Sequence, residues 1–190
     1  FSKGSRLTVG ASALLGGILL MTAHHSNYDP NISNLVPVLK SIWLNIHVAV
    51  ITGSYGFLGL GAILGFITMM LHMFRSKRNV KSIDLSTLEL TYITEMTITV
   101  GLIMAAIGTF LGGVWANESW GRYWGWDAKE TWALVIVLWY AIVLHLRFIP
   151  GMKSKFLFSV LAMWSYWTVL MTFFGVNYYL SGLHSYAKGD

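Results

Sequence analysis

Residues 120–132, WGRYWGWDAKETW, hold four of the chain's nine tryptophans, and Trp115 just upstream adds a fifth. Indole at that density serves either an aromatic belt at a membrane–water boundary or a surface for a flat, apolar ligand. Trp120, Tyr123 and Trp124 fall at i, i+3 and i+4, so a helical segment would align them on one aromatic face. Imidazole is the second chemical resource. The chain has six histidines, His24, His25, His47, His72, His145 and His184, and no cysteine. It therefore brings no thiol, thiolate ligand or disulfide of its own, and any sulfur chemistry belongs to a partner.

Two carboxylates close the stretch. Asp127-Ala-Lys-Glu130 has the D-x-x-E spacing of a capping box, in which Asp127 accepts from the Glu130 amide at the positive end of a helix. Both acids are thus expected to cap the helix that follows, and no residue stands out as a general acid or base. Arg122 and Lys129 face either ligand carboxylates or lipid headgroups, a choice that the sequence leaves open.

The elements that must position these groups are membrane helices. Of the 190 residues 55% are apolar and 11% charged, and the mean hydropathy is +0.60, far from the soluble average of about a quarter charged. Apolar runs at 7–23, 42–74, 94–115, 131–146 and 156–179 approach or exceed the ~20 residues that cross a bilayer. The expected fold is all-α: a polytopic bundle of about five transmembrane helices, one membrane domain over 1–190, with the tryptophan-rich segment at 115–134 outside. Residues 83–92 mix apolar and acidic types and read as a short interfacial helix before the third span. Gly61 and Gly65 form a small-xxx-small packing face on the second. The start, Phe1-Ser2-Lys3, lacks methionine and reads as a piece of a longer protein or a processed product.

Lysine and arginine set the direction. Lys3 and Arg6, then Arg75, Lys77, Arg78 and Lys81, then Arg147, Lys153 and Lys155 make nine of the thirteen cations, and the positive-inside rule puts their segments in the cytoplasm. The tryptophan stretch, the loop at 24–41 and the tail after 179 then share the outer side. His47, at the outer start of the second span, and His184, after the fifth, come out beside the tryptophans, whereas His145 lies near the inner end of the fourth.

Residues 115–134, WANESWGRYWGWDAKETWAL, resemble the WGxxWxWDxxE signature (WWD motif) of the haem-handling proteins of cytochrome c biogenesis, the CcsA, ResC and CcmC group, with Trp120, Gly121, Trp124, Trp126, Asp127 and Glu130 in register. The chain is most similar to the carboxy-terminal membrane core of CcsA-type proteins, including those fused as CcsBA. The resemblance implies cytochrome c maturation. Haem b, iron protoporphyrin IX, would be bound at the outer face by Trp115, Trp120, Arg122, Tyr123, Trp124, Trp126, Asp127 and Glu130. It would then be presented to apocytochrome c for attachment at Cys-x-x-Cys-His, the chain serving as part of a holocytochrome c synthase. Two neutral imidazoles above an aromatic floor suit axial ligation of haem iron, and the family has one external histidine on each side of the motif, matching His47 and His184. In CcsBA-type proteins a histidine at the place of His145 pairs with another from an earlier helix, in a site that takes haem from the cytoplasm. A missing amino-terminal or CcsB-like portion of the same complex is therefore an expected partner, together with membrane lipid and no nucleic acid. The expected location is a bacterial inner membrane or a thylakoid membrane, the motif on the periplasmic or lumenal side. A different reading makes the chain an electron-transfer cytochrome b with haems on His47/His184 and His72/His145. His47 and His72 would stand roughly 37 Å apart along one helix, a wide gap for electron transfer.

Overall fold

A computed structural model describes residues 3–25, 40–180 and 182. In chain order the elements are α1 (Lys3–His25), α2 (Ile42–Met73), α3 (Val80–Trp120), α4 (Ala128–His145) with a 3₁₀ turn (Leu146–Phe148), α5 (Lys155–Leu170), a π-helical turn (Met171–Gly175) and α6 (Val176–Tyr179). No strand occurs among the described residues. Among the described residues four segments are long and apolar enough to cross a membrane: Ile42–Met73, Val80–Trp120, Ala128–Phe148 and Lys155–Tyr179. The fifth apolar run forms α1, whose apolar part, Arg6–Met21, is shorter. The protein is an all-α polytopic membrane bundle.

Its centre is the antiparallel pair α2 and α3. Gly101 lies against Leu58 and Gly108 against Ile51, so rising positions on one helix meet falling positions on the other. Apolar side chains compete equally well for lipid, so close helix contact depends on small residues that admit a neighbour's side chain. Leu58, Ile98, Ala105, Ile136, Tyr140, Ala162 and Val169, from α2 to α5, form the main core cluster. Several buried hydroxyls are satisfied by carbonyls one turn back: Thr68 donates to the Leu64 carbonyl at 2.8 Å and Thr172 to that of Thr168 at 2.7 Å.

Residues 83–92 are not a separate interfacial helix. They belong to α3, which runs unbroken for 41 residues because nothing between Tyr92 and Thr94 interrupts the backbone. Ile83, Ser86, Thr87 and Leu90 are buried, with Leu90 in a second cluster with Ala11 of α1 and Leu64 of α2. Arg147, after α4, pairs with Glu95, fifteen residues into α3, so roughly 20 Å of α3 continues beyond that ion pair. At the tip Arg75 donates twice to Asp84, both bonds 2.8 Å long.

Gly61 and Gly65 do form a packing face, but for two neighbours: Gly61 meets Ile98 of α3, and Gly65 meets the α5 backbone. A Cβ at Gly65 would stand 2.8 Å from the Ser159 carbonyl oxygen and 3.2 Å from Ala162 Cβ. Gly65→Ala should therefore cost about 1–3 kcal/mol, the usual penalty of overpacking. Gly10→Ala, with nothing within 4 Å of the new methyl, should be neutral or stabilising by up to about 1 kcal/mol. Thermal unfolding of the two variants in detergent checks the contrast.

Candidate functional site

His47 is in the second turn of α2, behind the Ser41 N-cap. The Ser41 hydroxyl accepts from the Trp43 amide at 3.2 Å and donates to the Glu118 carboxylate, tying the start of α2 to the end of α3. The His47 ring reaches across to α3, with Nδ1 2.7 Å from the Gly108 carbonyl oxygen. A carbonyl only accepts, so Nδ1 carries the proton, and in the neutral imidazole the lone pair is then on Nε2. One turn on, Gly112 makes room: a Cβ there would stand 2.7 Å from Cε1 of the ring. Trp115, 1% exposed, lies parallel to the imidazole, with ring centroids 6.4 Å apart and planes 8° apart. Trp120 meets Trp115 edge-on at 4.8 Å.

The motif is not a helix throughout, so Trp120, Tyr123 and Trp124 do not share a helical face. Gly121 ends α3 in the left-handed conformation, φ 72°, its amide donating to the Asn117 carbonyl at 2.9 Å. Trp120 stays on the last turn of α3 while Tyr123 and Trp124 enter an irregular loop. Trp126 has φ 57°, rare for a bulky residue and characteristic of functional segments held by their surroundings. Glu130 supplies much of that hold: its carboxylate accepts from the Gly125 amide at 2.7 Å and the Asp127 amide at 3.1 Å. Asp127 accepts from Lys129 N at 3.3 Å, and the capping box is complete in both directions. Trp124 and Trp126 meet edge-to-face at 5.7 Å. Arg122 folds over Gly125, where any side chain would collide with its guanidinium. Gly182 packs on the Asp127 carboxylate, 2.1 Å from it if a Cβ were added, which brings the chain after α6 back to the motif.

Between α2, α3, the motif and the π turn lies a cavity of about 370 Å³. His47, Trp115, Tyr123, Trp124 and Glu130 line it; Trp120, Trp126, Arg122 and Asp127 do not, and their contacts are with Trp115, Trp124, Gly125 and the start of α4 respectively. Ile51, Tyr55, Thr109 and Phe173 make its deeper walls. The size and apolar lining are those of a small-molecule site. His145 belongs to the other end of the bundle, some 25 Å along α4 from the motif. It is exposed, with Nδ1 donating to the Ala141 carbonyl at 2.7 Å and the ring 5.9 Å from Phe148. His184 lies outside the described residues. Among the described residues no group of three or more His, Cys, Asp or Glu is placed to hold a metal ion.

Residues 1–184 match the family described as Cytochrome C assembly protein. The chain belongs to this family. It is 52% identical over 191 residues to Protein NrfI of Wolinella succinogenes, an alignment covering 100% of this chain and 21% of that protein. Cytochrome c biogenesis proteins CcsA from two Prochlorococcus marinus strains are 36% identical over 176 residues (MIT 9301) and 37% over 180 (SARG), each covering 81% of this chain and 57% of CcsA. The chain thus spans about a fifth of NrfI and little more than half of CcsA.

For this cytochrome c assembly chain, the cavity lining goes well beyond the residues legible in the sequence. Lys129, left open there between ligand carboxylates and lipid headgroups, is on its wall, whereas Thr172, Phe173 and Asn177, among others, looked like ordinary members of an apolar span. The π-helical turn, with Gly175 leaving space for the Met171 side chain, shifts the register of that wall, and local sequence carries little trace of it. The one signal was Asn177, a polar residue in a span, whose Nδ2 donates to the Phe173 carbonyl at 2.5 Å.

Two measurements probe the site. In Gly112→Ala the new methyl should push the imidazole off Gly108, so the ¹⁵N ring shifts of His47 should change from a single Nδ1–H tautomer to a mixture. Glu130→Ala should strand the Gly125 and Asp127 amides and lower stability by about 1–3 kcal/mol, with Glu130→Gln, which keeps an acceptor, milder. Thermal unfolding in detergent reads the difference.

Proposed function

We propose that the chain acts in cytochrome c maturation by holding haem b in the cavity and presenting it to apocytochrome c for covalent attachment. The observation that carries this reading is the His47 imidazole, its Nδ1–H bound to the Gly108 carbonyl so that the lone pair is on Nε2, the atom suited to ligate iron. An aromatic wall stands beside it: Trp115 stacks on the ring, and Tyr123 and Trp124 line the same space. A flat macrocycle with an iron centre fits that donor set. His184 supplies the second axial ligand in this proposal. It follows by two positions Gly182, which packs on Asp127 of the motif. Names and family membership add support, since the CcsA relatives are called cytochrome c biogenesis proteins.

Each residue has a stated task. His47 and His184 hold the cargo, Trp115, Tyr123 and Trp124 exclude water from its faces, and Trp120, Trp126, Arg122, Asp127 and Glu130 keep the loop in shape. Haem supplies two vinyl groups, to which the thiols of a partner's Cys-x-x-Cys-His segment add; this chain, without cysteine, holds the haem for that addition. His145, at the opposite end, receives haem from the cytoplasmic side together with a histidine from another part of a larger protein or complex. The cation distribution supports placing the motif outside, in the periplasm or a thylakoid lumen.

His47→Ala and His184→Ala should each abolish the bis-histidine spectrum of bound haem and stop maturation, with partial rescue by added imidazole. A variant that keeps both the spectrum and full maturation removes that residue from the ligand set. Single cysteines at Ser119 and Ser185 should react with a membrane-impermeant thiol reagent from outside, and one at Ser76 should not. Labelling of Ser119 and Ser185 from opposite sides would eliminate a shared haem site.

A further inference from the structure

The two cations of the motif have different surroundings. Arg122 is occupied within the loop, its guanidinium over the Gly125 backbone, and it does not line the cavity. Lys129, in the first turn of α4, is partly buried on the cavity wall beside Tyr123, Trp124 and Ala133. The first turn of a helix is its positive end, where cations are disfavoured, and apolar walls strip the charge of water. Glu130, on the same wall, has its carboxylate turned into the loop toward the Gly125 and Asp127 amides. Asp127 acts on Lys129 electrostatically, and an ammonium has three donors, enough for this neighbour and a ligand together.

We infer that Lys129 is a specificity determinant of the cavity, receiving a carboxylate of the bound ligand, a propionate where the ligand is a porphyrin. The inference rests on the porphyrin reading of the site and extends it to orientation. Protoporphyrin has its propionates on one edge and its vinyls away from it. A propionate held at Lys129, next to the motif, turns the vinyl edge away from α4. The first turn of α4 adds its helix dipole to the attraction for the carboxylate.

Iron-free protoporphyrin IX tests this without any contribution from histidine ligation. Its affinity for the chain in nanodiscs is compared with that of its dimethyl ester, which has the same ring and no carboxylates, by quenching of tryptophan fluorescence. The wild-type chain should favour the diacid by roughly 10- to 100-fold, the range of one hydrogen bond to a charged group. Lys129→Met should lose that preference by weakening diacid binding and leaving ester binding unchanged, and Lys129→Arg should keep most of it. Equal affinity of the wild type for the two porphyrins, or an undiminished preference in Lys129→Met, would overturn the role of Lys129 and leave the porphyrin site standing. Failure of both porphyrins to bind the wild type would overturn the porphyrin reading and this inference with it.

Discussion

The hydrogen bond from the His47 imidazole to the Gly108 carbonyl sets conditions that much of the bundle exists to meet. A carbonyl inside a helix already accepts the amide four residues on, and its second lone pair is reachable only if a side chain comes inside the usual envelope of the helix. Gly108 and Gly112 open that envelope on α3, Ile51 and His47 enter it from α2, and Trp115 closes the turn above. The ring is then restrained in tautomer, tilt and depth at once, which is the preorganisation that a ligand site needs. Hydrophobicity does not pull helices together in lipid, so the long α2–α3 contact is itself what keeps the imidazole in place.

At the same end of the bundle, the motif solves a different problem. Between the Gly121 cap and Asp127 the chain is irregular, and amides near a membrane boundary are costly to leave unmet. Glu130 takes up the Gly125 and Asp127 amides and Asp127 that of Lys129, and with oxygens so engaged these carboxylates are poor candidates for proton transfer. Their value lies in holding an irregular, aromatic segment, with Trp126 in an uncommon backbone conformation, as one wall of the cavity. The π-helical turn opposite does similar service, since a helix with one irregular turn presents Thr172 and Phe173 to a space that a regular helix would turn past.

The other end is joined by charges. Arg75–Asp84 and Arg147–Glu95 join neighbouring elements there, and α3 continues past the end of α4 with α1 and α2 packed beside it. His145 is exposed at this end, a position compatible with a partner histidine from outside these helices.

Local rules were enough for part of this. Apolar runs of sufficient length could only be spanning helices, and the D-x-x-E spacing at 127–130 was sufficient to identify a capping box, because both features are decided within a few residues of chain. The aromatic face expected from Trp120, Tyr123 and Trp124 failed because Gly121 adopts a left-handed cap and stops α3, and the separate helix expected at 83–92 failed because burial against α1 and α2 makes one continuous helix favourable. His47 was legible as a candidate from its type and place. Its tautomer was not, since the acceptor lies 61 residues away in the chain and is a backbone carbonyl that any residue type would provide. Likewise Arg122 and Lys129 are equivalent in the sequence, two cations seven positions apart. Only the path of the loop between them, which turns one onto Gly125 and leaves the other on the cavity wall, made them different.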